Sequence, residues 1–186
     1  MNKAVFLDRD GVINVDKGYV HRIEDFKFID GVIPALQRLS GSDFRLFVIT
    51  DQSGIGRRYY TEKDMENVHS HMLRELSKKG IVIDRIYYCP HAPEDNCGCR
   101  KPSPLLLRNA KNDFGIDLKR SFFIGDKTKD IQAGKSAGCK AILVLTGKQG
   151  KDAEFKVEPD FVAKNLMEAV SYILEYDKKT KVKERN

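Results

Sequence analysis

The sequence predicts an α/β fold, with a Rossmann-like parallel sheet and helices on both of its faces. Short apolar runs alternate along the chain with longer segments that have the period of an amphipathic helix. The short runs are continuously apolar, which is typical of parallel strands covered on both faces. Ligands of such sheets bind beyond the carboxyl ends of the strands, so residues that directly follow a strand are the first functional candidates.

The apolar runs predict six strands. In chain order they span residues 4–7, 45–50, 85–89, 121–124, 141–145 and 160–163, of which the last is the weakest. The first run, Ala-Val-Phe-Leu, has the length and the β-branched and aromatic content of a buried strand.

Helix-period segments with recognisable ends lie between the strands. The predicted helices span residues 32–40, 61–79, 103–114, 128–137 and 166–176. Pro34 and Pro104 lie in the first turns of two of them, where a missing N–H costs nothing. Thr61 and Asp64 form a capping-box pattern, and Gly115 follows the end of the third helix, as glycines at helix C-termini commonly do.

Length and composition indicate one globular domain. The chain has 186 residues, 41% hydrophobic and 32% charged, which is enough for a substantial core. We predict a single domain over residues 1–177, followed by a disordered basic tail, 178–186. The tail carries five basic residues and one acidic residue, and so most of the formal net charge of +6. Because the rest of the chain is close to neutral, we expect no nucleic-acid partner.

Membrane and export signals are not expected from the sequence. No apolar run approaches the roughly 18 residues needed to cross a bilayer, and the N-terminus lacks signal-peptide organisation. We therefore expect a cytoplasmic monomer with no membrane partner.

Two carboxylates at the end of the first predicted strand are the most informative residues. Asp8 and Asp10 directly follow the run 4–7, and Gly11 follows them. In an extended chain, side chains at i and i+2 leave the same face, so both carboxylates should enter one small volume. Two like charges so close repel unless a cation lies between them or a proton is shared. The pair indicates a functional site, and a loop with two solvated acids is the alternative.

Three further groups of polar residues follow predicted strands. They are Thr50 with Asp51, Gln52 and Ser53 after the second strand, Arg100 and Lys101 beyond the third, and Asp126, Lys127 and Asp130 after the fourth. Carboxylate oxygens suit Mg²⁺ as ligands, whereas lysine and hydroxyl groups suit phosphoryl oxygens. Each group alone is common, but their joint order indicates a site for Mg²⁺ and phosphate.

Three of the four cysteines lie within eleven residues, together with a histidine. The candidate ligands are Cys89, His91, Cys97 and Cys99. Three thiolates and an imidazole match a structural Zn²⁺ site, whose four filled positions leave none for a catalytic water. The alternative is a set of loose thiols beside a surface histidine, because a disulfide is not expected in a cytosolic protein. Cys139 stands apart and is predicted to be a small buried residue.

These motifs together resemble those of haloacid-dehalogenase (HAD) superfamily phosphatases, whose first motif is Asp-x-Asp-Gly, here residues 8–11. More narrowly, the chain resembles the group of histidinol-phosphate and D,D-heptose bisphosphate phosphatases. The matching segments are 8–14, 18–21, 28–31, 50–54, 87–91, 97–102 and 125–127, in the family's order. The segments between the motifs leave no room for a cap domain, so we expect a capless HAD-type fold with an open site and a structural zinc loop.

The resemblance implies a role for each matching residue. Asp8 would be the nucleophile that forms an aspartyl-phosphate, and Asp10 the general acid and base. Thr50 and Lys101 would stabilise the transferring phosphoryl group. Mg²⁺ would be held by the Asp8 carboxylate, the Asp10 backbone carbonyl and Asp126. The implied substrate-binding residues are Asp16, Lys17, Gly18, Tyr19, Asp51, Gln52, Ser53, Arg100 and Lys127.

The resemblance also implies the substrate class, a small phosphorylated metabolite. Our first expectation is the 7-phosphate of a heptose 1,7-bisphosphate, because no second catalytic domain is attached. Histidinol phosphate is the alternative, and the 3′ end of a nucleic acid is a more distant one. A non-enzymatic, zinc-stabilised nucleic-acid-binding module would leave the acidic residues at the strand ends unexplained.

A few residues depart from the family pattern or fall outside it. Asp51 stands where the family usually has Asn, which adds a negative charge near a phosphate. We expect this side chain to be turned away or paired with Arg57 or Arg58. His69 and His71 share a predicted helix without sharing a face, and we expect both to be surface histidines.

Overall fold

The protein folds around one parallel sheet, seen in a computed structural model that describes residues 2–183. Within these residues the strand order is β3-β2-β1-β4-β5-β6, with every neighbouring pair parallel. The strands are β1 (Lys3–Leu7), β2 (Phe44–Asp51), β3 (Arg85–Cys89), β4 (Phe122–Gly125), β5 (Lys140–Val144) and β6 (Phe161–Ala163). All six predicted strands are confirmed, each within one residue at either end.

The predicted helices are also present. The α-helices are α1 (Val32–Ser40), α2 (Ser53–Gly56), α3 (Glu62–Ser77), α4 (Leu105–Phe114), α5 (Thr128–Ala137) and α6 (Leu166–Lys183). The short α2 was not predicted. The capping box at the start of α3 is confirmed, since Thr61 and Asp64 exchange side-chain and backbone hydrogen bonds. No helix within residues 2–183 is long and apolar enough to cross a membrane.

The last helix is longer than the sequence predicts. It continues to Lys183, so the prediction of a disordered tail is wrong for residues 178–183, while 184–186 lie outside the described residues. Ion pairs formed across the chain explain the extension. Lys3 Nζ lies 2.5 Å from the carboxylate of Asp177, and Lys181 Nζ lies 2.6 Å from Asp43.

Two apolar clusters cover the two faces of the sheet. Alternate residues of β1 divide between them, as the period of a strand requires. Val5 and Leu7 pack in the cluster that contains α1, α3 and α6. Ala4 and Phe6 pack in the cluster that contains α4 and part of α5. The sheet is therefore buried on both faces, and its carboxyl edge is left for function.

The strand order places a crevice at the carboxyl end of β1. Strands β2 and β3 extend to one side of β1, whereas β4, β5 and β6 extend to the other. Leu7 pairs with Val48 on β2 and with Ile124 on β4, so the residues that follow these three positions meet at one level. Such a reversal of strand order is where α/β sheets bind ligands.

Candidate active site

Asp8 directly follows β1 and is almost completely buried. Its Oδ1 accepts a hydrogen bond from the backbone N–H of Arg9 at 2.8 Å and lies 3.0 Å from Lys101 Nζ. Burial alone would raise the pKa of Asp8, but the charges of Lys101, Lys127 and Lys129 outweigh burial and hold the pKa below its usual range. Asp8 is therefore an ionised carboxylate, the form that a nucleophile needs.

The carboxylate of Asp10 is held by a guanidinium instead. Arg9 donates from Nε to Oδ2 at 3.1 Å and from Nη2 to Oδ1 at 3.0 Å. Asn14 Nδ2 also donates to Oδ1, at 2.9 Å. Gln52 Nε2, which also donates to Thr50 Oγ1, lies 3.4 Å from Asp10 Oδ2 and so links this carboxylate to the end of β2. Asp10 faces Arg9 and the open cavity.

Asp126 follows β4, and the surroundings of its carboxylate are those expected of a metal ligand. Its Oδ2 accepts from the backbone N–H of Lys148 at 2.6 Å. Its buried Oδ1 has no hydrogen-bond partner among the described residues, although Lys127 Nζ lies 3.6 Å from it. Burial and the charge of Asp8 raise the pKa of Asp126 to about 7. An unpartnered, buried carboxylate oxygen beside a second carboxylate fits a divalent cation with oxygen ligands.

Two glycines allow the chain to approach Asp126 closely. A Cβ at Gly147 would lie 2.1 Å from Asp126 Oδ2, and a Cβ at Gly11 would lie 2.4 Å from the same atom. Thr146 Oγ1 donates to the backbone oxygen of Gly11 at 2.7 Å and so joins the two loops. Sequence reasoning missed the loop after β5. The available signal was Thr146-Gly147, directly beyond a strand end.

Lys101 is enclosed between two carboxylates. Its Nζ lies 2.7 Å from Asp130 Oδ1 and 3.0 Å from Asp8 Oδ1. Burial alone would lower the pKa of Lys101, but Asp130 and Asp8 raise it above its usual range, so the ammonium keeps its charge. The sequence predicts that Asp130 belongs to the site but assigns it no individual role, and the structure shows that it contacts Lys101. Asp8, Asp126 and Asp130 are the carboxylate group that could hold a metal among residues 2–183.

Thr50 lies buried at the end of β2. Its Oγ1 accepts from Gln52 Nε2 at 2.9 Å, and Gln52 Oε1 accepts in turn from the hydroxyl of Tyr60 at 2.7 Å. Burial is the main cause that raises the pKa of Tyr60 to about 12, so its hydroxyl stays protonated. This chain of hydrogen bonds fixes Thr50, near the end of β2, and Gln52, which directly follows the strand.

A cavity of about 280 Å³ is lined by Asp10, Gln52 and Tyr60, whereas Asp8, Thr50 and Lys101 are not part of its lining. Eight of the nine predicted substrate-binding residues line it, namely Asp16, Gly18, Tyr19, Asp51, Gln52, Ser53, Arg100 and Lys127. The ninth, Lys17, points elsewhere, with its Nζ 3.6 Å from Asp25. Three lining residues were not predicted from the sequence: Tyr60, Lys129 and Lys148.

Asp51 is paired, as expected, but with other partners. Its Oδ2 lies 3.0 Å from Lys129 Nζ and 3.7 Å from Arg100 Nη1. The predicted partners, Arg57 and Arg58, are therefore wrong. The side chain of Asp51 turns toward α5 and the end of the cysteine-rich loop, and both features lie far from it in the sequence.

The four predicted zinc ligands converge. Cys89 Sγ lies 3.0 Å from Cys99 Sγ and 3.4 Å from Cys97 Sγ, and His91 Nδ1 lies 3.3 Å from Cys99 Sγ. These sulfur distances are far longer than the bond of about 2.05 Å in a disulfide, and the cysteines are free. The four ligand atoms all lie within 4.8 Å of one another, which fits a tetrahedral metal site.

His69 is not a surface residue, so this prediction is wrong. Its side chain is buried, and Nε2 lies 3.2 Å from Nη1 of Arg9. His71 is half-buried, with its ring edge-on to Phe26 at 5.8 Å between centroids. Arg9, which lies between Asp8 and Asp10 in the sequence, thus has a buried partner on α3.

The fold and the site together define a hydrolase of the HAD class. Residues 98–169 match the family model of HAD-hydrolase-like proteins. The D-glycero-alpha-D-manno-heptose-1,7-bisphosphate 7-phosphatase of Campylobacter jejuni is 44% identical to this chain over 175 residues, which cover 94% of this chain and 98% of that protein. The D-glycero-beta-D-manno-heptose-1,7-bisphosphate 7-phosphatase of Helicobacter pylori strain J99 is 45% identical over 173 residues, with coverages of 92% and 97%.

A solved structure agrees with these relatives. The D,D-heptose 1,7-bisphosphate phosphatase of B. bronchiseptica, complexed with magnesium and phosphate, superposes with a TM-score of 0.87 at 34% identity. The match covers 94% of this chain and 99% of that one. This chain belongs to the heptose-1,7-bisphosphate 7-phosphatase family within the HAD-like hydrolases.

Proposed function

We propose that the protein is a Mg²⁺-dependent phosphatase that removes the 7-phosphate of D-glycero-D-manno-heptose 1,7-bisphosphate through an aspartyl-phosphate at Asp8. The observation that carries this proposal is the buried, ionised Asp8 carboxylate, which lies 3.0 Å from Lys101 Nζ and two residues before Asp10, a residue that lines an open cavity. Relatives that match nearly the whole chain are named for this substrate, which supports the substrate class.

Asp8 and its cationic neighbour perform the first step. The Asp8 carboxylate attacks phosphorus, and the bond between phosphorus and the sugar oxygen breaks. Lys101 and Thr50 bind the phosphoryl oxygens and hold them in line, which is most of what catalysis of phosphoryl transfer requires. Asp130 keeps Lys101 charged and in place.

Asp10 moves the protons. Its carboxyl group gives a proton to the leaving sugar oxygen, and its carboxylate then takes one from the water that hydrolyses the aspartyl-phosphate. Hydrogen bonds from Arg9 and Asn14 orient both oxygens of Asp10 toward the cavity. The cation beside Asp10 is the guanidinium of Arg9, with Nη2 2.9 Å from Oδ2, whereas the cation beside Asp8 is the ammonium of Lys101.

The carboxyl edge would hold Mg²⁺ through the carboxylates of Asp8 and Asp126 and the backbone carbonyl of Asp10. The unpartnered Oδ1 of Asp126 supports this set of ligands. The ion, when bound, neutralises negative charge on the phosphoryl oxygens. Asp130 is left out of this set because its Oδ1 lies 2.7 Å from Lys101 Nζ.

The cysteine-rich loop would hold a structural Zn²⁺ through Cys89, His91, Cys97 and Cys99. The convergence of these ligands supports this role, and the loop leads directly to Arg100 and Lys101. We also propose that the protein acts as a cytoplasmic monomer.

The charge of the cavity favours a bisphosphate over histidinol phosphate. The basic side chains in its lining are Arg100, Lys127, Lys129 and Lys148. They outnumber the acidic residues of the lining, Asp10, Asp16 and Asp51, by one. This small excess of positive charge favours the second phosphate of a sugar bisphosphate over the ammonium group of histidinol phosphate. Relatives of nearly equal identity are named for opposite anomers, so sequence identity does not decide the anomer.

Phosphate release tests the substrate. Both anomers of heptose 1,7-bisphosphate and histidinol phosphate are compared on one sample whose Mg²⁺ and Zn²⁺ contents are measured. We expect turnover of at least one heptose anomer at a far higher kcat/KM than histidinol phosphate. Turnover of histidinol phosphate alone would overturn the sugar assignment.

The nucleophile has a separate test in the substitution Asp8→Asn. An amide of the same shape cannot attack phosphorus, so we expect phosphate release to fall by at least about 10³-fold. Circular dichroism and zinc content should match those of the parent protein. A folded Asp8→Asn variant with normal turnover would rule out the covalent mechanism.

A further inference from the structure

We infer that His69 is a positioning residue for the reaction: it holds the guanidinium of Arg9, and Arg9 holds the carboxyl group of Asp10. This inference deepens the proposed function and rests on the role of Asp10 as proton donor. His69 lies on α3, outside the lining of the catalytic cavity, and can act on the reaction only through Arg9.

Arg9 is a completely buried cation with a partner on every side. None of its surface is exposed. Nε and Nη2 donate to the two oxygens of Asp10, and Nη2 also donates to the backbone oxygen of Val20 at 2.9 Å. Nη1 lies 3.2 Å from His69 Nε2. A buried guanidinium is tolerated only where its donors are satisfied, so each of these contacts restrains its position.

The contact between Arg9 and His69 requires one particular protonation state of the histidine. A guanidinium donates hydrogen bonds and accepts none, so His69 Nε2 must be the acceptor and the ring must be neutral with its proton on Nδ1. The buried side chain and the adjacent cation favour the same neutral ring. His69 thus offers Arg9 a fixed acceptor from the far side of Asp10.

The position of Arg9 decides where Asp10 can place its proton. Arg9 donates hydrogen bonds to both oxygens of Asp10. If Nη1 loses its acceptor on His69, the guanidinium shifts toward another acceptor, and the carboxyl group of Asp10 turns with it. An error of about 1 Å in the position of a reacting group can cost about 10²-fold in rate. Loss of the acceptor on His69 should therefore weaken proton donation and leave the Asp8 nucleophile intact.

Leaving-group dependence separates this role from a merely structural one. A sugar alkoxide needs a proton to leave, whereas p-nitrophenolate does not. In His69→Leu we expect kcat on heptose bisphosphate to fall about 10- to 100-fold. We expect KM to change less than about twofold. The rate of the p-nitrophenolate burst from p-nitrophenyl phosphate, which reports attack by Asp8 before the aspartyl-phosphate is hydrolysed, should stay within about threefold. His69→Gln keeps an acceptor for Arg9 and should recover most of the lost rate.

His71→Leu, two residues along the same helix, is the matched control and should change neither substrate's rate. If His69→Leu does not fold, His69→Asn gives the same readout, because its shorter side chain withdraws the acceptor from Arg9. An equal loss in the rate of the first step on both substrates, or an unchanged rate on the sugar phosphate, would overturn the inference. If the parent enzyme prefers another alkyl phosphate, the same comparison is made on that substrate. An error in the sugar assignment can then be distinguished from an error in the role of His69.

Discussion

At the scale of single residues, three carboxylates at one edge of the sheet have three different environments. Lys101 keeps Asp8 ionised, whereas Arg9 orients Asp10 through both of its oxygens. Asp126 has one unpartnered oxygen and a pKa raised to about 7. The sequence is sufficient to identify all three acids, because each directly follows a strand. The surroundings of Asp8 and Asp126 could not be predicted, because their partners are contributed by distant parts of the chain, whereas the partner of Asp10 is its neighbour Arg9.

Lys129 is expected to compensate for Asp51, the residue that departs from the family pattern. The two charges lie 3.0 Å apart and both are nearly buried. Replacement of Lys129 with alanine leaves a buried negative charge beside the phosphate site. We expect KM for the bisphosphate to rise about tenfold or more in steady-state kinetics, with a smaller change in kcat.

The double variant Asp51→Asn, Lys129→Ala is the control for that experiment. It removes both charges, so KM should return to within about threefold of the parent value if the unpaired carboxylate was the cause. If the double variant binds substrate as weakly as Lys129→Ala alone, Lys129 contacts the substrate directly and the compensation argument is wrong.

At the scale of elements, the site is made by the loops that leave the carboxyl ends of the strands. The loop after β3 was predicted in detail because its ligands, 89, 91, 97 and 99, are close in sequence and chemically distinctive. The loop after β5 was missed because it acts through its backbone. The N–H of Lys148 donates to Asp126, and Gly147 provides only a close approach. Backbone contacts of this kind have no side-chain signature.

The cysteine-rich loop should control the position of Lys101. In Cys97→Ser we expect loss of zinc by elemental analysis and a lower melting temperature, because a structural metal contributes directly to folding. Turnover should fall at least about tenfold, because Lys101 would no longer be held beside Asp8.

Cys139→Ala is the matched control for Cys97→Ser. This cysteine is buried and outside the cluster, so the variant should keep its zinc and activity. A zinc-free Cys97→Ser variant with full activity would contradict this role of the loop.

At the scale of the whole molecule, the sheet with its two covering layers was predictable and some of its long-range contacts were not. Continuous apolar runs identify the strands locally, and the alternation of strands and helices leads to the parallel sheet. The extension of α6 to Lys183 depends instead on ion pairs with Lys3 and Asp43, from the other end of the chain. The burial of His69 likewise depends on Arg9, on another element.

The burial of His69 also links the stability of the whole fold to pH. Burial and the charge of Arg9 lower the pKa of His69 from 6.5 to about 3. As the pH falls below about 6.5, the unfolded chain takes up a proton on this residue while the folded protein does not. The free energy of unfolding therefore decreases through this window, by up to about 1.4 kcal/mol per pH unit for one proton. This decrease continues until the pH approaches the folded pKa of about 3.

The comparison of the parent protein with His69→Gln isolates this one proton. Glutamine does not titrate, so the free energy of unfolding from denaturant titrations should fall less steeply between pH 6.5 and pH 4 in the variant. Carboxylates such as Asp8 also destabilise the fold when they are protonated, but they are present in both proteins and cancel in the difference. His71→Gln is the matched control and should follow the parent curve, because His71 lacks the buried contact with Arg9. Parallel curves for the parent and His69→Gln would mean that His69 is protonated in the folded state, which the hydrogen bond from Arg9 does not allow.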